Sequence, residues 1–126
     1  IEDAGSYVFR SIAADCVRGL DYLLTRPDID PARLAIVGND LALIIAALHP
    51  AATHVVTTPE LFHDTVALAA RTTAYPLEEI NDYLRLHPEN REAVARTLSY
   101  FDLRAFAPRV RANTLIMAGA KGTALE

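Results

Sequence analysis

The chain has 126 residues, a hydrophobic content of 52% and a formal net charge of −4 at neutral pH. This is enough apolar material for one globular domain with a packed core. Acidic and basic residues are scattered along the chain, which gives no electrostatic reason to expect a nucleic acid or an anionic membrane as partner. Small neutral or cationic partners remain open.

The chain shows no pattern for an intrachain disulfide or a membrane span. Its one cysteine, Cys16, lies in an apolar helical pattern and is expected to be a small buried hydrophobic residue. The longest apolar stretch, 41–48, is far shorter than the roughly 20 residues that a transmembrane helix needs. We therefore expect no membrane partner, and a cytoplasmic location unless a signal segment precedes Ile1.

The first predicted elements are an amphipathic helix and a buried strand. Between residues 7 and 26, apolar side chains recur at spacings of four, three and four, which is typical of one helix face. These residues are Ala13, Val17, Leu20 and Leu24. Two prolines and two aspartates in 27–31 predict the end of the helix and a turn. The apolar run 33–38 ends in glycine and predicts a parallel strand buried on both faces.

A tight turn and a second helix follow this strand. Asn39 and Asp40 are typical helix-start residues, and 41–49 is apolar on nearly every side, as in a helix packed between two layers. Two more strands are predicted near 54–58 and 114–118, each bounded by a proline or a glycine. The stretch between them predicts a helical insertion over 60–107, with helices at 60–70, 77–87 and 91–99 and a turn near 103–107.

Strands that alternate with helices predict βαβ units, a parallel sheet and an α/β fold. Three short strands make a small sheet for such apolar sequences, which expect neighbouring strands and helices on both faces. We therefore expect 1–126 to be a single partial domain, truncated from a larger three-layer α/β fold.

Two segments carry a resemblance to a known family. Residues 79–83 have the sequence EINDY, followed by His87-Pro88, and residues 97–102 have the sequence TLSYFD. This pattern resembles the acetyl xylan esterase and cephalosporin C deacetylase family, in which both segments precede a strand leading to the catalytic acid. The resemblance implies a partial α/β-hydrolase fold, namely the C-terminal middle portion of the family domain. It also implies deacetylation of short carboxylic esters and acetylated sugars, without a cofactor or a metal.

The predicted strand, turn and helix over 34–49 supply the context that a nucleophile elbow requires. The family pattern there is Gly-x-Ser-x-Gly, whereas this chain has Gly38-Asn39-Asp40-Leu41-Ala42. The resemblance implies that Gly38 and Ala42 are the small elbow positions and that Asp40 stands at the catalytic nucleophile position. It also implies that the Leu41 backbone N–H stands at the oxyanion-hole position, where a neighbouring carboxylate would repel a developing oxyanion.

The other two members of the family triad also have no match in this chain. In the family, the acid follows the third strand in a Gly-x-x-Asp pattern, and this chain has Gly122 at the acid position. The resemblance places the family's histidine beyond Glu126. None of the histidines in the chain, which are His49, His54, His63 and His87, matches a triad base.

Three roles for Asp40 remain open from the sequence. The favoured role is a cap on the helix over 41–49, where the partial positive charge of the helix end stabilises a carboxylate. The second is a nucleophilic aspartate, as in dehalogenases and epoxide hydrolases of the same fold, which also needs a histidine base. The third is a polar group in a pocket that performs no chemistry.

Two clusters of charged side chains have simpler interpretations than a site. His63 and Asp64 are adjacent, so in a helix their side chains would point about 100° apart, which favours a solvated surface. Acidic residues within 78–82 lie close to Arg85, which predicts a surface ion pair involving Asp82. No spacing in the chain matches a metal-binding motif.

The leading hypothesis is a triad-deficient, non-catalytic relative of acetyl xylan esterases that binds a small-molecule ester, an acetylated sugar or a partner subunit. The alternative is an active ester hydrolase that uses Asp40 as nucleophile or residues outside this chain. A third hypothesis, a structural module, follows from the resemblance to a family that assembles into homo-oligomers.

Overall fold

A computed structural model describes residues 1–118, which form six α-helices, three strands and three short 3₁₀ turns. The first half contains α1 (Val8–Leu24), β1 (Ala35–Gly38), α2 (Asp40–Leu48) and β2 (His54–Thr57). The second half contains α3 (Thr65–Ala69), α4 (Leu77–Leu86), α5 (Arg91–Ser99), α6 (Leu103–Phe106) and β3 (Asn113–Ile116).

The three strands form one parallel sheet in the order β1-β2-β3. The register places Gly38 beside Thr57 and Thr57 beside Ile116. The carboxyl ends of the strands therefore meet at one edge of the sheet, where open α/β sheets bind ligands. The predicted partial α/β fold and the positions of its strands are confirmed, although each strand is shorter than predicted.

The outer strands are less buried than the sequence predicts. The prediction that 33–38 is buried on both faces is wrong, because Val37 of β1 is 73% exposed. Every residue of the other outer strand, β3, is also exposed. Successive side chains of a strand point to opposite faces. Helix α2 packs on the face that carries Val55 and Thr57, which are buried, and leaves Val37 and Leu115 on the other face exposed.

The core surrounds α2 and the helical insertion. Ile44 of α2, Leu77 of α4 and Val94 of α5 are almost completely buried in it. Helix α1 buries only a narrow stripe through Ala13 and Leu20. Cys16 lies outside that stripe and is exposed, so the prediction of a buried cysteine is wrong.

The helix predicted over 60–70 begins only at Thr65. The three backbone N–H groups of 60–62 donate to the side chain of Asp40, which holds this segment in an irregular turn. Asp64 then takes the left-handed conformation, with φ of 50°, before α3 starts. A long-range hydrogen-bonding partner thus overrides the local helix pattern.

Helix α4 offers a matched test of its buried face. Leu84 is 7% exposed and Leu86, two residues later, is 78% exposed. We expect Leu84→Ala to lower the free energy of unfolding by about 2–5 kcal/mol, because it leaves a cavity in the core. Leu86→Ala should change it by less than about 0.5 kcal/mol. Urea denaturation measures both, and equal losses would contradict this packing of α4.

Asp102 anchors the insertion next to the 60–64 segment. Its side chain caps α6 by accepting from the Arg104 N–H at 2.9 Å and forms an ion pair with the Arg104 guanidinium at 2.6 Å. The following N–H, that of Leu103, donates to the carbonyl of Phe62 at 2.8 Å. Hydrogen bonds from the Arg104 side chain, then from backbone N–H groups, lower the pKa of Asp102 to about 2.

The lowered pKa predicts a pH-dependent contribution to stability. Because the folded state favours the ionised Asp102, the contribution is present above the ordinary pKa of 3.8 and is lost as the pH falls towards about 2. Asp102→Asn should therefore lower Tm at pH 7, and its difference from the unmodified protein should close over that range. Circular dichroism melts measure it, with Asp15→Asn on the exposed side of α1 as control. A difference that stays constant with pH would rule out this contribution.

Candidate functional site

The turn between β1 and α2 lies at the carboxyl edge of the sheet. Asn39 is the N-cap of α2, and its side-chain oxygen accepts a hydrogen bond from the Leu41 N–H at 3.2 Å. Asp40 is the first residue of the helix. The expectation that Asp40 caps α2 is therefore wrong, because Asn39 takes this role and the Asp40 side chain binds the segment that follows β2 instead.

The Asp40 carboxylate is bound by three successive backbone N–H groups. Oδ2 accepts from Glu60 at 2.9 Å, Oδ1 accepts from Phe62 at 2.7 Å, and the Leu61 N–H is 3.1 Å from each oxygen. Asp40 is only 2% exposed. A buried carboxylate without partners would be costly, and these charge-assisted bonds offset that cost. We call the Asp40 carboxylate and the N–H groups of 60–62 the Asp40 latch.

Two further bonds hold the elbow against β2. The Thr57 hydroxyl, which is fully buried, donates to the Asn39 carbonyl at 2.8 Å. The Thr58 N–H donates to the Gly38 carbonyl at 3.0 Å. A Cβ placed on Gly38 would lie 3.6 Å from the Cβ of Ala42, which is an ordinary van der Waals contact. The elbow is a rigid turn with most of its polar groups already bonded.

The Leu41 N–H is the group that the family resemblance places in an oxyanion hole. In this structure it donates to the Asn39 side chain. An oxyanion hole needs donors that are directed at the reacting oxygen and not satisfied elsewhere. The Asn39 side chain therefore competes directly with any substrate oxygen for this donor.

A cavity of about 380 Å³ lies over the elbow. Asn39, Asp40 and the 60–62 segment form one side, and the first turns of α1 and α4 together with Tyr83 form the other. This volume is within the range of small-molecule sites. The structure thus brings Asp40 to the wall of a ligand-sized cavity.

None of the four histidines lines this cavity. His49 follows the last residue of α2, roughly 13 Å along the helix axis from Asp40. Its Nδ1 accepts from the Ala51 N–H at 3.2 Å, so Nε2 donates to the Asp21 carboxylate at 3.0 Å. This histidine–aspartate pair was missed from the sequence because its members are 28 residues apart. At that distance from Asp40, His49 cannot act as a base for it.

The other predicted clusters lie outside the cavity. Arg85 pairs with Glu78 at 2.9 Å and with Asp82, which confirms the predicted surface ion pair. His63 and Asp64 are both exposed. Gly122, predicted at the lost acid position, lies outside the described residues. Within 1–118 no three potential ligands cluster as a metal site would need, and no helix of that range is long and apolar enough to cross a membrane.

The model of the acetyl xylan esterase (AXE1) family matches residues 1–124 of the chain. The chain belongs to the acetyl xylan esterase family. The acetyl esterase Axe7A of Xylanibacter ruminicola is 27% identical over 124 residues, which cover 94% of this chain and 27% of that protein. The solved structure of an acetyl xylan esterase from Paenibacillus sp. R4 is 34% identical, with a TM-score of 0.83 over 91% of this chain and 39% of that chain.

These comparisons confirm the family and the partial α/β-hydrolase fold predicted from the sequence. The chain spans 27% and 39% of the lengths of the two relatives. Membership of the family means that the elbow and its cavity belong to a fold on which other members hydrolyse esters. It does not by itself assign chemistry to this elbow, since activity depends on the residues of the site.

The Asp40 latch predicts a large effect of removing one side chain. Asp40→Ala leaves the three N–H groups of 60–62 without their acceptor, and we expect it to lower the free energy of unfolding by about 3 kcal/mol. Asp15→Ala removes an exposed carboxylate from α1 and should change it by less than about 0.5 kcal/mol. Urea denaturation measures both.

Hydrogen exchange locates the effect. In Asp40→Ala the amides of 60–62 should exchange much faster than in the unmodified protein, while those of β2 change less. Unchanged protection at 60–62 would show that these amides do not depend on the carboxylate.

Proposed function

We propose that this chain is a non-catalytic relative of acetyl xylan esterases and that its elbow cavity binds a small ligand without hydrolysing it. The observation that carries the proposal is the Asp40 latch. The side chain at the family's nucleophile position uses both of its oxygens to hold the backbone of 60–62.

A nucleophile must present a lone pair to the substrate carbon at about 3–3.5 Å. Each Asp40 oxygen accepts from the backbone, and the residue is 2% exposed. Attack through either oxygen would break hydrogen bonds that also hold the wall of the cavity. The geometry therefore supports a structural role for Asp40 and opposes a nucleophilic one.

The oxyanion donor, the acid and the base also support a non-catalytic role. The Leu41 N–H is bonded to Asn39, and glycine stands at the family's acid position in the sequence. An aspartyl mechanism also needs a base to activate water, and no histidine within 1–118 lines the cavity. Binding without turnover requires none of these groups. The homo-oligomer and the cytoplasmic location remain predictions that light scattering and cell fractionation would test.

An acetate-release assay tests the proposal. The protein should release no acetate from 4-nitrophenyl acetate or acetylated xylo-oligosaccharides beyond the level of Asp40→Asn, whose fold is checked by circular dichroism. Asp40→Ser should be equally inactive, because a serine alone supplies neither the acid nor the base of a triad.

Two results would contradict the proposal. Turnover by the unmodified protein that Asp40→Asn abolishes would establish the alternative, an esterase with an aspartyl nucleophile. Strong activity of Asp40→Ser would show that an acid and a base are in place near the elbow and that only the nucleophile is missing.

A further inference from the structure

Four aromatic residues lie in the wall of the elbow cavity. Tyr7, Phe9, Phe62 and Tyr83 line it. The rings of Phe9 and Phe62 meet edge to face, with centroids 4.8 Å apart and an interplanar angle of 89°. The ring of Tyr7 lies 5.4 Å from that of Phe9. Such a wall can bind an apolar group, and its ring faces attract cations.

All the charged side chains that line the cavity are acidic. They are Asp40, Glu60 and Glu79, and no lysine, arginine or histidine of the described residues lines it. Asp40 is held in the latch. Neither Glu60 nor Glu79 forms an ion pair within 1–118, whereas Glu78, the neighbour of Glu79 on α4, pairs with Arg85 outside the cavity. The carboxylates of the cavity therefore have no cationic side chain as partner among the described residues.

Helix ends weaken this negative charge without reversing it. The first turns of α1, α2 and α4 lie at the cavity, and each helix start contributes roughly half a positive charge. Against three carboxylates, about one and a half negative charges remain, and the α-amino group of Ile1, a residue that also lines the cavity, offsets part of them. Burial, and then the nearby Glu79 carboxylate, raise the pKa of the Tyr7 hydroxyl.

We propose that the elbow cavity binds a small organic cation, an ammonium group on a short apolar body. The inference rests on the proposed function, because it assigns a ligand class to a cavity that binds without hydrolysis. The carboxylates of Glu60 and Glu79 supply the charge that attracts the ammonium group. Tyr7 and Phe9 contact its apolar part and offer ring faces to its charge. A volume of about 380 Å³ accommodates a ligand of this size.

A matched pair of probes isolates the role of charge. Choline and 3,3-dimethylbutan-1-ol have nearly the same shape, and only choline is charged. Titrations followed by the NMR shifts of the Tyr and Phe rings should show choline binding roughly tenfold more tightly than the neutral alcohol. Raising the salt concentration to about 0.5 M should weaken choline binding and leave the alcohol unaffected.

Charge-neutral variants test the residues. Glu79→Gln and Glu60→Gln should each weaken choline binding roughly threefold to tenfold and leave the binding of the alcohol unchanged. Glu92→Gln, on an exposed position of α5 away from the cavity, is the control and should leave both affinities unchanged. Both cavity glutamates are exposed, so the variants should keep the fold.

Three outcomes would overturn the cation assignment. They are equal affinity for choline and the alcohol, no binding of either probe, or an affinity for choline that neither Glu60→Gln nor Glu79→Gln changes. If acetylated xylobiose binds without turnover while choline does not bind, the cation assignment fails and the proposed non-catalytic binding stands. Acetate release that depends on Asp40 would overturn the proposed function instead, so the two failures are distinguishable.

Discussion

One buried carboxylate connects most of the functional region. Asp40 starts α2 and accepts hydrogen bonds from three backbone N–H groups of a segment about twenty residues later. The bonds join the elbow to the chain that leaves β2, and they place Phe62 in the core, where its carbonyl receives the Leu103 N–H. Asp102, which caps α6, secures the same region from the insertion side. Because a buried charge demands full hydrogen bonding, the latch determines where the cavity wall lies.

Under the proposed function, the latch explains how a family scaffold can be kept without its chemistry. A serine nucleophile must remain exposed and close to a base, so its position contributes little to stability. In this chain the same position holds a side chain that is 2% exposed and bonded on both oxygens. The backbone of this chain nevertheless matches that of an acetyl xylan esterase with a TM-score of 0.83 over 91% of this chain. The proposed function therefore gives this position a structural role in place of a reactive one.

Charge is distributed unevenly around the elbow. On one side of α4, acidic side chains are paired with Arg85. On another side, Glu79 lines a cavity without a basic side chain among the described residues, together with Glu60 and aromatic rings. Carboxylates that are held near each other without counter-charge raise the local negative potential, which favours a cationic occupant over an anionic one. One side of the helix therefore carries paired charges, and the other carries the charge on which the proposed binding depends.

The sequence by itself determined the order of the helices and strands, the elbow context and the family, because periodicity, breakers and motifs are local properties of the chain. The EINDY segment lies in α4 as predicted, and the strands lie within one or two residues of their predicted positions. Tertiary structure alone decided the partner of Asp40, the late start of α3, the exposure of Val37 and the cavity over the elbow. Backbone N–H groups look alike in every sequence, and only folding shows which of them reach a distant carboxylate.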